Sequence, residues 1–194
     1  MKFLLSLSRL IDSLTERIGR VAHWLILAMV LTSAGNAVAR YALNISSNAW
    51  LEIQWYLFSA VFLLGAGYTL LHNQHVRIDV ITGRLSRRAQ TWLEIFGTVF
   101  FLLPVAVLIL WLSWPVFLDS FRSGEVSSNA NGLILWPARL LLPVGFALLV
   151  LQGVSELIKR VAFLRGLIAD PAEPRESGSA VQELAEQIRK ARHE

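Results

Sequence analysis

The chain has 194 residues, of which 55% are hydrophobic and 16% charged, and its formal net charge is +4. Since a soluble domain carries roughly 25% charged residues, this composition indicates a membrane protein rather than a soluble one. The chain contains no Cys, which excludes disulfides, thiol catalysis and Cys-based metal sites. The excess of basic residues does not indicate nucleic-acid binding, because Lys and Arg are confined to short segments beside apolar stretches.

Four long uncharged stretches predict an all-α integral membrane protein with four transmembrane helices plus amphipathic interfacial helices. The stretches are residues 21–39, 53–76, 95–118 and 140–155. A bilayer core about 30 Å thick requires about 20 apolar helical residues, so the last helix is expected to extend over about 137–158. The predicted organisation is an amphipathic N-terminal segment (1–20), a four-helix membrane domain (21–165) and a cytoplasmic tail (166–194).

The N-terminal segment has an apolar face but no cleavable signal peptide is expected, because charged residues interrupt it before the first stretch. Leu4, Leu7, Ile11, Leu14 and Ile18 recur at spacings of three and four residues. This pattern predicts an amphipathic helix that lies on the membrane surface. A flanking helix without contact to lipid is an equally good interpretation.

The distribution of Lys and Arg predicts the orientation. Basic residues are frequent before the first stretch, between the second and third, and after the fourth, whereas the opposite side holds only Arg40, Arg122 and Arg139. Positive charge marks the cytoplasmic side of a membrane protein. We therefore expect both termini and the 73–92 segment in the cytoplasm of a bacterium, and the 115–136 segment outside the inner membrane.

Few polar side chains lie within the stretches, and the sequence predicts no dense polar cluster. Ionisable groups inside a membrane mark substrate or ion paths, but here they gather at the ends of the stretches. Arg40 and Glu52 flank a short connection and form either an ion pair or two independent charges. His72 and His75 lack the further ligands that zinc requires, so neither a metal nor a cofactor is expected. Motifs for hydrolases, kinases and nucleotide binding are absent.

Motifs between residues 40 and 80 resemble a known family. An Arg-Tyr pair ends the first stretch, a Trp and an acid open the second, small residues occupy its middle, and a His-x-Arg-x-Asp pattern closes it. These positions are Arg40, Tyr41, Trp50, Glu52, Trp55, Tyr56, Gly65, Gly67, His75, Arg77 and Asp79. The chain resembles the small membrane subunit (DctQ-like) of tripartite ATP-independent periplasmic (TRAP) transporters, although Gln54 stands near a position where many relatives have a second acid.

The resemblance implies a three-part system for organic-acid uptake. A periplasmic substrate-binding protein captures the acid, a large membrane subunit moves it, usually with sodium, and the small subunit is a four-helix scaffold. The expected partners are therefore these two proteins and membrane lipids, with no nucleic acid and no enzymatic activity. The alternative is a self-assembling small channel or exporter, which requires a polar stripe along one helix. A membrane enzyme is a third class and requires convergent polar groups near one interface.

Overall fold

In a computed structural model the described residues are 1–44, 47–72 and 85–169, and they are largely helical. The helices are α1 (Lys2–Ala42), α2 (Asn48–Leu71), α3 (Arg87–Gly97), α4 (Leu103–Ser123) and α5 (Trp136–Leu164). A π-helical turn, Thr98–Leu102, joins α3 to α4, so that Arg87–Ser123 forms one continuous rod. The described residues thus contain four helical rods long and apolar enough to cross a membrane. This confirms the predicted all-α membrane fold.

Helix α1 is a single helix of 41 residues, about 60 Å long at 1.5 Å per residue. The N-terminal segment, residues 1–20, is therefore helical and continuous with the first span. The face of its first half that packs against the rest of the chain carries Ser8, Ile11, Thr15, Gly19 and Ala22. Among the residues of the predicted apolar face, Leu4, Leu7 and Leu14 are exposed. The small and polar face determines the packing because it finds hydrogen-bond partners on α5.

Helix α5 occupies the centre of the bundle. It packs against α1, α2 and α4, and α1 packs against α2 on one side of it. Two glycines allow these close approaches. A Cβ atom on Gly145 would lie 2.7 Å from the Cβ of Leu63 on α2, and one on Gly153 would lie 3.0 Å from Cδ2 of Leu102 at the end of the π turn.

The crossing of α1 and α2 depends on a third glycine. A Cβ atom on Gly19 would overlap the ring of Tyr68, so this position admits no side chain unless the ring or one of the helices moves. The same ring packs edge-on against His23, with centroids 5.9 Å apart. Gly67, one residue before Tyr68, is buried, and a Cβ atom there would be in van der Waals contact with Thr15 on α1 and Gln152 on α5. Three helices therefore meet at this level.

The π turn widens the third rod directly before Pro104. Its closing bond runs from the N–H of Leu103 to the carbonyl of Thr98, five residues earlier. Proline donates no backbone hydrogen bond, and its ring crowds the carbonyl four residues before it. The sequence interpretation placed Pro104 inside the third span, and the structure accommodates it by this change of helical register.

The interior contains small and polar residues, and most large apolar side chains face outward. The buried apolar residues are Ile11, Ala22, Ala60, Leu70, Ala106 and Ala162. In contrast, Trp24, Trp55, Phe62 and Trp111 are each more than two-thirds exposed. Such a distribution suits a chain surrounded by hydrocarbon or by other membrane helices.

The two ends of the bundle have different chemistry. We call the end with residues 43–44, 47–48 and 124–136 the hairpin end, and the end with residues 72, 85–90 and 156–169 the basic end. The predicted interface residues His75, Arg77 and Asp79 lie outside the described residues, as does the tail from residue 170 onward. The 73–92 segment is described from residue 85, and α3 begins two residues later with the side chain of Ser86 as its N-cap.

Candidate functional site

The hairpin end is closed by an ordered loop, residues 124–135. Val126 and Ile134 form an antiparallel bridge, and the Ser127 N–H donates to the Leu133 carbonyl at 2.9 Å. The turn between them uses a left-handed Asn131 (φ 58°) followed by Gly132. A Cβ atom on Gly132 would lie 2.5 Å from the Cβ of Ser127, so glycine is required for the close approach. The loop is therefore a compact hairpin.

Glu52 anchors this hairpin to α2. The Leu133 N–H donates to Glu52 Oε2 at 2.6 Å, the Asn129 side-chain amide donates to Oε1 at 2.8 Å, and the Ser127 hydroxyl also donates to Oε1. Glu52 as a whole is 8% exposed, although it lies in the second turn of α2. We call Glu52 with Ser127, Asn129 and Leu133 the loop clamp. Hydrogen bonds to an ionised acceptor are stronger than those between neutral groups.

Two further residues of α2 support the loop clamp. The Tyr56 hydroxyl donates to the Ile134 carbonyl at 3.1 Å, and the Asn48 amide donates to the Ala130 carbonyl at 3.3 Å. Asn48, Glu52 and Tyr56 are spaced by four residues and so share one face of the helix. On the far side of the loop, Arg139 holds Glu125 through contacts of 2.6 and 2.9 Å.

The predicted interface residues of α1 and α2 lie in several environments. Glu52 and Tyr56 join in holding the loop, whereas Arg40, Trp50 and Trp55 are exposed. Within the described residues no ion pair links Arg40 to Glu52, since the carboxylate is oriented toward the outer loop instead. Gly67 packs against α1 and α5, while a Cβ atom on Gly65 would meet nothing within 4 Å.

A second polar cluster joins α1 to α5. Ser8 Oγ lies 2.7 Å from Ser155 Oγ, the Ser155 hydroxyl also contacts Asp12 Oδ1 at 2.7 Å, and the Thr15 hydroxyl donates to Gln152 Oε1 at 2.8 Å. The Gln152 amide then donates to Asp12 at 3.1 Å. Gln152 and Ser155 are fully buried, so these bonds replace hydration that the side chains have lost.

The cluster continues into charged residues near the basic end. Lys159 Nζ lies 2.5 Å from Glu156 Oε1 and 3.2 Å from Asp12 Oδ2, and Arg160 pairs with Glu94 of α3. Arg160 also lies 3.7 Å from Glu156. We call Ser8, Asp12, Thr15, Gln152, Ser155, Glu156, Lys159, Arg160 and Glu94 the polar network. It links the first, third and fourth rods through buried hydrogen bonds and partly buried ion pairs.

The sequence interpretation was wrong to expect no dense polar cluster. The members of the polar network belong to helices that are far apart in the chain. The sequence analysis treated each of them separately, as an isolated polar group or as a charge at the end of a stretch. The sequence did contain a signal, because polar residues recur at spacings of three and four on each helix. They are Ser8, Asp12 and Thr15 on α1, and Gln152, Ser155 and Lys159 on α5. Two polar stripes on neighbouring helices can satisfy each other.

His72 has an acidic partner in place of a metal. Its Nε2 lies 2.8 Å from Glu16 Oε2 on α1, and its ring packs on Tyr68 with centroids 4.3 Å apart. Across residues 1–44, 47–72 and 85–169, no group of three His, Cys, Asp or Glu side chains is placed to hold a metal ion. The contact fastens the end of α2 to α1.

Both clusters use their polar groups to fasten helices and a loop together, and the four long apolar rods around them define a helical membrane protein. Residues 29–163 match the family model described as "Tripartite ATP-independent periplasmic transporters, DctQ component". The match covers more than half of the chain, so the chain belongs to this family and is a small TRAP transporter subunit, not an enzyme. No match was found among curated proteins. The matched region contains the whole loop clamp and the α5 half of the polar network, and the α1 half precedes it.

Proposed function

We propose that this chain is a scaffold that holds the large membrane subunit of a transporter for an organic acid and moves no substrate itself. One observation carries the proposal: its polar groups bind one another inside the bundle, whereas its large apolar side chains face outward. A site for an anion at mid-membrane needs polar groups that replace the substrate's hydration. The polar network has its groups engaged in holding helices together, and the outward apolar faces suit contact with another membrane protein.

The proposed orientation places the hairpin end in the periplasm of a bacterial inner membrane. The excess of Lys and Arg at the other end supports it. The loop clamp then offers a fixed surface at the height where a soluble substrate-binding protein docks. The organic-acid class of the substrate and the coupling to sodium rest on the family resemblance of the motifs between residues 40 and 80.

Uptake into proteoliposomes tests the scaffold role. The purified chain, the large subunit and the binding protein are combined under a sodium gradient, and each is omitted in turn. We expect substrate uptake only with all three, and background uptake with this chain alone. Binding of the organic acid to the isolated chain, measured by calorimetry, is also expected to be absent.

Two outcomes contradict the proposal. Uptake by this chain alone overturns the scaffold role and supports the channel or exporter. Full uptake by the other two components shows that they need no scaffold. A matched control adds the chain after the large subunit has been reconstituted, which separates a role in assembly from a role in the transport cycle.

A further inference from the structure

The first half of α1 has an apolar stripe that the described part of the chain leaves exposed. Phe3 is 77% exposed and Leu10 is 70% exposed, and Leu7 and Leu14 are also exposed. These four residues follow one another at spacings of four, three and four, so they lie along one side of the helix. Ile11 lies instead on the side that packs against the bundle. The exposed apolar stripe and the packing side are therefore two different sides of α1.

A cationic side of the same helix lies beside the apolar stripe. The basic residues of this half are all exposed, and they are Lys2, Arg9, Arg17 and Arg20. Arg9 and Arg20 are eleven residues apart, which places them on one side of the helix, about a third of a turn from the apolar stripe. This half of α1 thus presents an apolar stripe and a row of positive charge side by side.

The acids of the first half of α1 do not neutralise these cations. Asp12 contacts Lys159 at 3.2 Å, and Glu16 contacts His72 at 2.8 Å. Within residues 1–44, 47–72 and 85–169, none of the four cations has an acidic partner. The positive charge is therefore available to anionic groups outside the chain.

The apolar stripe continues into the first membrane span. Val21 lies seven residues after Leu14 on the same side of the helix and is 55% exposed, and Trp24 is 72% exposed. Between Leu14 and Val21 the stripe is interrupted by Arg17, which follows Glu16, the residue that contacts the C-cap of α2. Tryptophan is enriched where a membrane meets water. The apolar stripe therefore reaches the membrane surface at about the level where α2 ends.

The length of α1 makes the surroundings of its first half a physical question. The helix is about 60 Å long, twice the thickness of a hydrocarbon core of about 30 Å. If the first half stood upright in water, its four large apolar side chains would remain hydrated. If α1 is inclined, the same side chains enter the acyl chains of the leaflet, which removes apolar surface from water.

We propose that the first half of α1 rests on a bilayer surface that contains anionic lipid, with the apolar stripe among acyl chains and Arg9 and Arg20 at the phosphates. A helix with an apolar side next to basic residues binds the lipid interface through both parts. A second copy of the chain fits this surface less well, because it would bring the same unpaired cations against those of the first. The proposal goes beyond the scaffold role and does not rest on it.

Spin labels on single Cys residues test this placement, since the chain contains no Cys. Leu10→Cys places the label on the apolar stripe. Ser13→Cys is the matched control, because Ser13 is exposed and lies four residues after Arg9 on the cationic side. The isolated chain is reconstituted into vesicles of equal phosphatidylglycerol and phosphatidylcholine, and into vesicles of phosphatidylcholine alone. Power-saturation EPR spectroscopy measures how often each label collides with a neutral nickel chelate in the water.

With phosphatidylglycerol present, we expect the nickel collision rate at position 10 to be at least fivefold lower than at position 13. Omission of phosphatidylglycerol should raise the rate at position 10 at least twofold. The combined changes Arg9→Gln and Arg20→Gln should abolish this dependence on lipid charge. Equal rates at the two positions in phosphatidylglycerol vesicles, or a rate at position 10 of the parent chain that does not depend on phosphatidylglycerol, overturns the proposal.

A photo-crosslink identifies what covers the apolar stripe without a spin label. The groups compared are p-benzoylphenylalanine at position 10 and at position 13, in the isolated chain and in the complete transporter. We expect a phospholipid adduct at position 10 in both preparations and none at position 13. An adduct of position 10 with the large subunit, with a second copy or with another segment of this chain overturns the proposal. Because the isolated chain is measured separately, a failed uptake experiment does not affect this result.

Discussion

Glu52 and Glu156 are both buried carboxylates, but their surroundings differ in kind. Glu52 accepts hydrogen bonds from a hydroxyl, a side-chain amide and a backbone N–H, all neutral donors from one loop. Glu156 lies beside two cations of its own helix, Lys159 and Arg160. Loss of the Glu52 charge should therefore release the loop. Loss of a cation beside Glu156 should instead leave negative charge uncompensated between helices.

Glu52→Gln should loosen the outer hairpin. Glutamine has one acceptor oxygen in place of two, and its NH₂ group would face donors that it cannot bind. We expect amide hydrogen exchange in residues 125–135 to become about tenfold faster, since local opening no longer breaks a charge-assisted bond. Exchange measured by mass spectrometry on the purified protein tests this.

Asp119→Asn is the matched control for the hairpin, because Asp119 is an exposed acid near the end of α4. It should leave exchange of residues 125–135 unchanged. Equal acceleration by both variants would show that net charge at this end matters and the loop clamp does not.

Lys159→Met should destabilise the whole bundle. The change leaves Asp12 and Glu156 close together with one cation fewer, and removal of one partner of a buried pair costs about 3 kcal/mol. The expected fall in Tm is about 6–12 °C for a chain of this size. Thermal unfolding in detergent, followed by circular dichroism, measures it.

Two comparisons decide whether the Lys159 effect is specific. Lys159→Arg keeps the charge and should recover most of the lost stability. Arg165→Met removes an exposed cation just beyond α5 and should change Tm by less than about 2 °C. A similar loss in Lys159→Met and Arg165→Met would contradict the assigned role.

At the scale of the helices, the number of spans was predictable from the sequence because hydrocarbon tolerates few charges. The bounds were less predictable. Helix α1 begins at Lys2, α3 at Arg87 and α5 continues to Leu164, all beyond the uncharged stretches. These extra turns contain charged residues, and they remain helical because residues such as Asp12 and Lys159 find partners on neighbouring helices.

The loop clamp and the π turn were beyond sequence reasoning for other reasons. Glu52 and Leu133 are 81 positions apart, and only the packing of α5 beside α2 brings them together. Pro104 lies inside the predicted third stretch, but the sequence does not show which helical register accommodates it. The spacing of neighbouring residues in the sequence predicts neither contacts between distant residues nor the helical register around a proline.

Gly19→Ala should weaken the crossing of α1 and α2. Its methyl group would overlap the Tyr68 ring, so the helices must separate or the ring must rotate away from His23. Overpacking of this kind costs about 1–3 kcal/mol. The expected result is a lower Tm in detergent. The contact between α1 and α2 should also be lost, which is measured by crosslinking one Cys placed on each of the two helices.

Gly35→Ala is the control on the same helix, because a Cβ atom there meets open space. It should keep or raise Tm, since alanine is a better helix former than glycine. A decrease as large as that of Gly19→Ala would show that flexibility of α1, and not the close crossing, determines stability.

For the molecule as a whole, the orientation is testable because the chain contains no Cys. Ser128 lies at the hairpin end and Ser86 at the basic end. An impermeant thiol reagent applied to whole cells whose outer membrane admits it should label Ser128→Cys and spare Ser86→Cys, because the basic end is expected inside. Labelling of both after lysis is the control, and the reverse pattern on intact cells contradicts the orientation.

The outward placement of the large apolar side chains has a calorimetric consequence. For soluble proteins, unfolding exposes apolar surface to water and raises the heat capacity by about 12–15 cal/mol/K per residue. Here the buried apolar residues are mostly alanines, and the Trp and Phe side chains already contact the surrounding medium in the folded state. In a micelle or bilayer they remain in hydrocarbon when the helices separate. The heat capacity of this chain therefore changes far less on unfolding than that of a soluble protein of its length, and its stability varies with temperature along a nearly straight line.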